Sequence, residues 1–290
     1  MTVTEVMLKI YDGLLSRKDE SGIPVRLRAR STIGTIQDDP FDCWVEEAVR
    51  AVLSPGFDVY HSGALTTPDL VIRERKGSIC IGLEIKKLGQ TVSGKDSRGL
   101  TIDYNSSLPC GSTMIKVEDN TVVIPCYYLF ALLSPDNTRI LSLILMDGDF
   151  INYDFNLYKE AKYANYTEYN HGPYGEGSVR HRKMYTYPNP LNYRITEFYH
   201  RFILIGKKTD LKMIEETGHI TEQIIRTDIY GNSFYYYLYD GLSRIIPGDR
   251  PATLTDIFET CRKRSPKIKT VAIPTIPPIE NQPHENQERP

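Results

Sequence analysis

Pro68-Asp69-Leu70-Val71-Ile72, then Arg73-Glu74-Arg75-Lys76-Gly77, then Ser78-Ile79-Cys80-Ile81-Gly82-Leu83-Glu84-Ile85-Lys86 is the stretch on which the reading of this chain turns. Two runs rich in branched aliphatic residues flank a polar segment containing glycine, the pattern of a β-hairpin. With Lys76-Gly77 as a two-residue loop, Leu70 faces Leu83 and Ile72 faces Ile81, so the apolar side chains match on one face. The same register sets Asp69 opposite Glu84. Because side chains alternate along a strand, Asp69, Glu84 and Lys86 then share the other face, with the small residues Cys80 and Gly82 beside them.

Directly opposed side chains on one sheet face have Cβ atoms roughly 4.5–5.5 Å apart, which lets two carboxylates share a divalent cation. Without a cation they repel. Lys86 points the same way, where an ammonium can orient an attacking water or neutralise charge growing on a phosphate. Two oxygen ligands with open positions suit Mg²⁺, which keeps several waters and completes its shell with phosphate oxygens. The plainer alternative is an aspartate in a turn after proline and a solvated charged strand face.

Pro68-Asp69 followed by Glu84-Ile85-Lys86 resembles the signature of the PD-(D/E)XK nuclease superfamily, which includes most type II restriction endonucleases. The resemblance covers roughly residues 40–150. It implies an α/β fold with a restriction-endonuclease-like core, a mixed central β-sheet flanked by helices, carrying family-specific insertions. It implies Asp69 and Glu84 as ligands of Mg²⁺, Lys86 as the catalytic lysine, double-stranded DNA as substrate, and a homodimer in which each subunit serves one strand. Glu46 is the candidate for a further active-site acid, since Val45, Val49 and Leu53 around it match the family's helical pattern better than the neighbours of Glu47 do. A solvated helix acid is the other reading of Glu46. Rival functions are a junction resolvase or repair nuclease of the same superfamily, and a DNA-binding module that keeps the fold without the chemistry.

Outward from the hairpin, Pro40 to Leu53 reads as a helix capped by Asp38 or Asp39, with Trp44, Val45, Ala48, Val49 and Val52 on its apolar face. Val3, Val6, Met7, Ile10, Tyr11 and Leu14 have helical spacing and predict an amphipathic helix that packs or dimerises. Val122 to Leu133 and Arg139 to Met146 read as strands joined through Ser134-Pro135-Asp136-Asn137. Further on, residues 152–193 read as long surface loops, Phe198 to Ile205 and Ile224 to Tyr239 as a second sheet-like patch around a short helix near 210–216, and Leu254 to Cys261 as one more helix. These elements amount to one domain over residues 1–264, with its catalytic core at roughly 40–150 and recognition or dimerisation elements at 1–39 and 151–264. The proline-rich residues 265–290 predict an extended or disordered tail.

Lys95 to Ser107 is dense in hydrogen-bonding groups, and Lys95, Arg98, Asp103, Tyr104, Asn105 and Ser106 are the candidate DNA contacts: arginine reads guanine, asparagine reads adenine, and lysine and serine bind phosphate. A polar loop capped by Asp103 and Asn105 is the alternative. Gln90 is a weaker candidate, and the tyrosine-rich stretch 163–193 can line a DNA groove. Of the aromatic residues 20 are Tyr, against nine Phe and one Trp, which suits wet interfaces where a ring stacks and a hydroxyl bonds.

The formal charge of −2 gives no global electrostatic case for a polyanion partner, so any attraction to DNA has to come from local clustering. Five scattered cysteines without a CxxC pair suggest neither a disulfide framework nor a zinc site. Together with the absence of a signal-peptide pattern and of any apolar run of membrane-spanning length, this points to a cytoplasmic setting with no membrane partner.

Overall fold

The computed structural model describes residues 1–29, 32–33, 36–37, 39–62, 68–93, 112–148, 202–207, 220–228, 231–239 and 275–277. In chain order the elements are α1 (Val3–Leu15), β1 (Ile23–Pro24), β2 (Thr32–Ile33), β3 (Ile36–Gln37), α2 (Pro40–Leu53), β4 (Phe57–His61), β5 (Leu70–Glu74), β6 (Cys80–Gly89), β7 (Ser112–Val117), β8 (Asn120–Leu133), β9 (Arg139–Asp147), β10 (Phe202–Lys207), β11 (Ile220–Asp228), β12 (Gly231–Tyr239) and β13 (Thr275–Ile276). The class is mixed α/β, with one large sheet ordered β11-β12-β10-β9-β8-β6-β5-β4. Within it β6 runs parallel to β8 and β10 parallel to β9, while the remaining neighbours along that path are antiparallel. The expected second patch is therefore continuous with the first sheet through β10.

Both helices begin where side chains can satisfy their free N–H groups. Thr2 and Glu5 form a reciprocal capping box at α1. Asp39 accepts the Phe41 N–H at 2.9 Å at the start of α2, and Pro40 fills the first turn, where its missing N–H costs nothing. The two helices cover one face of the sheet. Val6, Ile10 and Leu14 of α1 and Phe41, Val45 and Val49 of α2 meet Leu70, Ile72, Ile81, Leu83, Leu129 and Leu143 in a single buried cluster. Gly13 permits the close approach of the helices, since a Cβ there would stand 2.3 Å from Val52 Cγ2.

The long apolar run of β8 follows from its central place. Tyr128, Phe130 and Leu132 are buried on one side and Tyr127, Leu129 and Leu133 on the other, as in any strand with both faces covered. Pro125 marks the point where β8 passes from pairing with β7 to pairing with β6. The turn after β8 is the one its composition suggests: Asn137 takes φ 57, and its N–H donates to the Ser134 carbonyl at 2.9 Å.

A second, smaller layer covers the far side of the hairpin. Val71 of β5 packs with Ile115 of β7, Ile124 of β8 and Ile276 of β13. Here the tail departs from expectation. Thr275–Ile276 pairs in parallel with Lys116 and Val117, and Ile276 is only 2% exposed. The helices expected near 210–216 and 254–261 and the loops of 152–193 lie outside the described residues. No described helix is long and apolar enough to cross a membrane.

Candidate active site

The hairpin has the register expected from its apolar residues: Leu70 pairs with Leu83, Val71 with Gly82, Ile72 with Ile81 and Arg73 with Cys80. Its turn is longer than Lys76-Gly77. Glu74 N–H donates to the Ile79 carbonyl at 2.9 Å and closes a loop over Arg75 to Ser78. Arg75 explains the opening, because its N–H is taken by Gly56 at 3.0 Å and its guanidinium by Asp58 at 2.9 Å, both toward β4. The loop lengthens symmetrically, so the pairing beyond it is unchanged.

One step past Leu70 and Leu83 come Asp69 and Glu84. Asp69 is held at two points: its carbonyl accepts the Ser62 N–H at 2.9 Å, and its Oδ2 accepts the Ile85 N–H at 2.6 Å. The carboxylate therefore takes the ladder position that a backbone carbonyl would fill and lies against β6 between Glu84 and Lys86. Glu84 is buried, and Lys86 Nζ donates to its Oε1 in an ion pair. The face that carries these groups is roofed rather than solvated. A Cβ on Gly82 would stand 2.8 Å from Thr113 Cγ2 and 3.0 Å from Pro68 Cγ, so only glycine lets β7 and the Pro68-Asp69 segment close together beside Glu84.

The N-terminus of α2 adds further acids. Asp39 accepts an ion pair from Lys87, whose ammonium also lies 5.6 Å from the Phe41 ring centroid. Asp42, in the first turn, has its carboxyl pushed up to about 8, first by burial and then by the charges of Asp69 and Asp39, against the pull of Lys87 and Lys86. Burial also raises Asp69, opposed by Lys86, the Ile85 N–H and His61. Burial and mutual repulsion thus disfavour the charged forms of Asp42 and Asp69, a cost that a nearby positive charge would relieve.

Asp69, Glu84 and Lys86 are thus brought together. Glu46, the helical acid expected beside them, is ion-paired with Arg50 at 2.6 Å, and the helical carboxylate that senses Asp69 is Asp42, one turn earlier on the same face. Asp42, Lys87 and His61 went unread in the sequence, and Asp39 was read there only as a helix cap. The available signal was that Asp42 stands three residues after the cap, in the first turn of a helix one strand ahead of the hairpin. Gln90 N–H donates to the Leu133 carbonyl at 2.8 Å, a strand-end contact. Lys95, Arg98, Asp103, Tyr104, Asn105 and Ser106, and the stretch 163–193, lie outside the described residues.

Among the described residues no three His, Cys, Asp or Glu side chains converge as a ready-made metal cage. A hard cation held by two carboxylates, with water and phosphate completing its shell, does not require one. No protein-family model, no curated protein and no solved structure matches the chain.

Proposed function

We propose that the chain is a Mg²⁺-dependent endonuclease with a restriction-endonuclease-like core, cutting double-stranded DNA in the manner of a type II restriction enzyme and working as a cytoplasmic homodimer. The observation that carries the reading is the hairpin register, which sets Asp69 beside Glu84 with Lys86 ion-paired to that same glutamate. The order α2, three antiparallel strands β4, β5 and β6, then β8 parallel to β6, is compatible with such a core.

Asp69 and Glu84 are the residues that would hold the cation, and their fit rests on the donor set: two carboxylates brought side by side by the hairpin, hard oxygen ligands of the kind Mg²⁺ takes. Bound there, Mg²⁺ supplies charge neutralisation and an acidified water. The chain's own groups do the positioning. Asp69 is oriented before any ligand arrives by the N–H groups of Ile85 and Ser62. Lys86 is ion-paired with the buried Glu84 and so holds an ammonium at the same place, where it could also serve a phosphate oxygen or an attacking water.

Incubating the purified protein with phage DNA and Mg²⁺ and resolving the products on a gel tests the proposal. Discrete bands that vanish with EDTA are expected. A smear would move the reading to a non-specific repair-type nuclease. Intact DNA under every divalent cation tried would leave a non-catalytic binding module.

A further inference from the structure

We propose that the outer edge of β7 is a docking site for an extended Ile-Pro segment, and that the chain's own Thr275–Pro277 is its resident, exchangeable occupant. The strand is as short as its sequence requires. Pro274 and Pro277 have no N–H, so between them only Thr275 and Ile276 can donate to a ladder, and among the described residues the pairing is Thr275 with Lys116 and Ile276 with Val117. A pocket receives the one apolar side chain: Ile276 is buried against Val71, Ile115 and Ile124. A clamp fixes the residue that follows, since Arg73 Nη1 donates to the Pro277 carbonyl. That guanidinium is already oriented, lying 5.1 Å from the Tyr60 ring centroid and donating to the Tyr60 hydroxyl.

Edge pairing, an alternate side-chain pocket and a carbonyl clamp are the components by which sheet edges bind extended peptides. They recognise an isoleucine followed by a residue that needs no N–H partner. The contact is small, and a tether supplying an effective concentration in roughly the millimolar range is what keeps it filled. The inference is independent of the chemistry proposed for Asp69, Glu84 and Lys86.

The test is amide hydrogen exchange on the full chain. Ile276→Asp should raise exchange across Ser112–Val117 by about tenfold or more while the central residues Leu129, Phe130 and Leu145 keep their protection. A synthetic peptide with the sequence of residues 274–280, added at about 5 mM, should restore protection to the Ile276→Asp chain, and the same peptide carrying Ile276→Asp should not. Arg73→Ala, which removes the clamp and leaves the pocket, should move exchange in the same direction by a smaller factor and serves where Ile276→Asp fails to fold. Unchanged β7 exchange in both variants, equal loss of protection throughout the molecule in both, or failure of the peptide to restore protection would overturn the proposal. So would β7 protection in the unmodified chain that falls on dilution, which assigns the occupant to a second copy.

Discussion

Lys86 is the residue whose two environments set stability against rate. In the absence of a cation it is the ion-pair partner of a buried glutamate, and breaking such a pair by removing one member costs about 3–5 kcal/mol when both groups are fully buried, less here because Lys86 keeps 20% of its side chain exposed. Lys86→Ala should therefore lower the melting temperature, Lys86→Ala with Glu84→Gln should recover most of that loss, and both should cut DNA at least ~10³-fold more slowly than the unmodified chain. Cleavage near the normal rate by the double variant would remove the hairpin from the reaction. Asp42 offers a check that needs no substrate. Its carboxyl rises from 3.8 to about 8 on folding, so between those values the folded chain binds the extra proton. Stability is fully present below 3.8 and declines as pH rises through that window. Asp42→Asn should flatten the decline and raise the melting temperature at its upper end, read from melts in EDTA across the window. A parallel pair of curves would show that Asp42 does not carry the proton.

At the scale of elements, the joint that bears on the site is the one between β6 and β7 at Gly82. Neither the Pro68 ring nor the Thr113 methyl is the far end of a flexible side chain, so Gly82→Ala must push the Pro68-Asp69 segment, β7, or both. A loss of about 1–3 kcal/mol is expected, as for other overpacked sites, together with weakened Mg²⁺ binding. Thr113→Ser removes the nearer contact and should restore part of each, measured by denaturant melts and metal titration. Rescue of stability without any change in metal binding would show that the joint does not reach Asp69. The hairpin was legible in sequence because its apolar residues admit only one register that buries them, and α2 because cap, proline and apolar spacing agree. The roof over Gly82 was not legible: β7 comes from thirty residues downstream, and a small residue on an acid-bearing face reads equally as room for solvent or room for a strand. Asp42 was missed for a related reason. Helical periodicity identifies the buried face, whereas the proximity of a first-turn acid to a strand end depends on how the helix docks.

For the whole molecule, the tail changes what truncation should do. Composition alone suggests that residues 265–290 are dispensable, yet Ile276 closes the smaller core against Val71, Ile115 and Ile124. A chain ending at Arg264 should lose about 1.5–3 kcal/mol, the worth of one buried isoleucine, and bind a dye specific for exposed apolar surface, while the core under α1 and α2 stays folded. Melting and dye binding identical to the full chain would return the tail to the dispensable class. The sheet's connectivity has a different consequence, in time. Tyr11 of α1 donates its hydroxyl to the carbonyl of Phe202 at 3.0 Å, across 191 residues of chain. A ribosome adding about 5–20 residues per second takes roughly 10–40 s to make that stretch. Throughout that interval α1 can already pack on α2, but the Tyr11 hydroxyl and the part of the helix that meets β10 await a strand not yet synthesised, so the first helix is completed by a late strand of the described sheet.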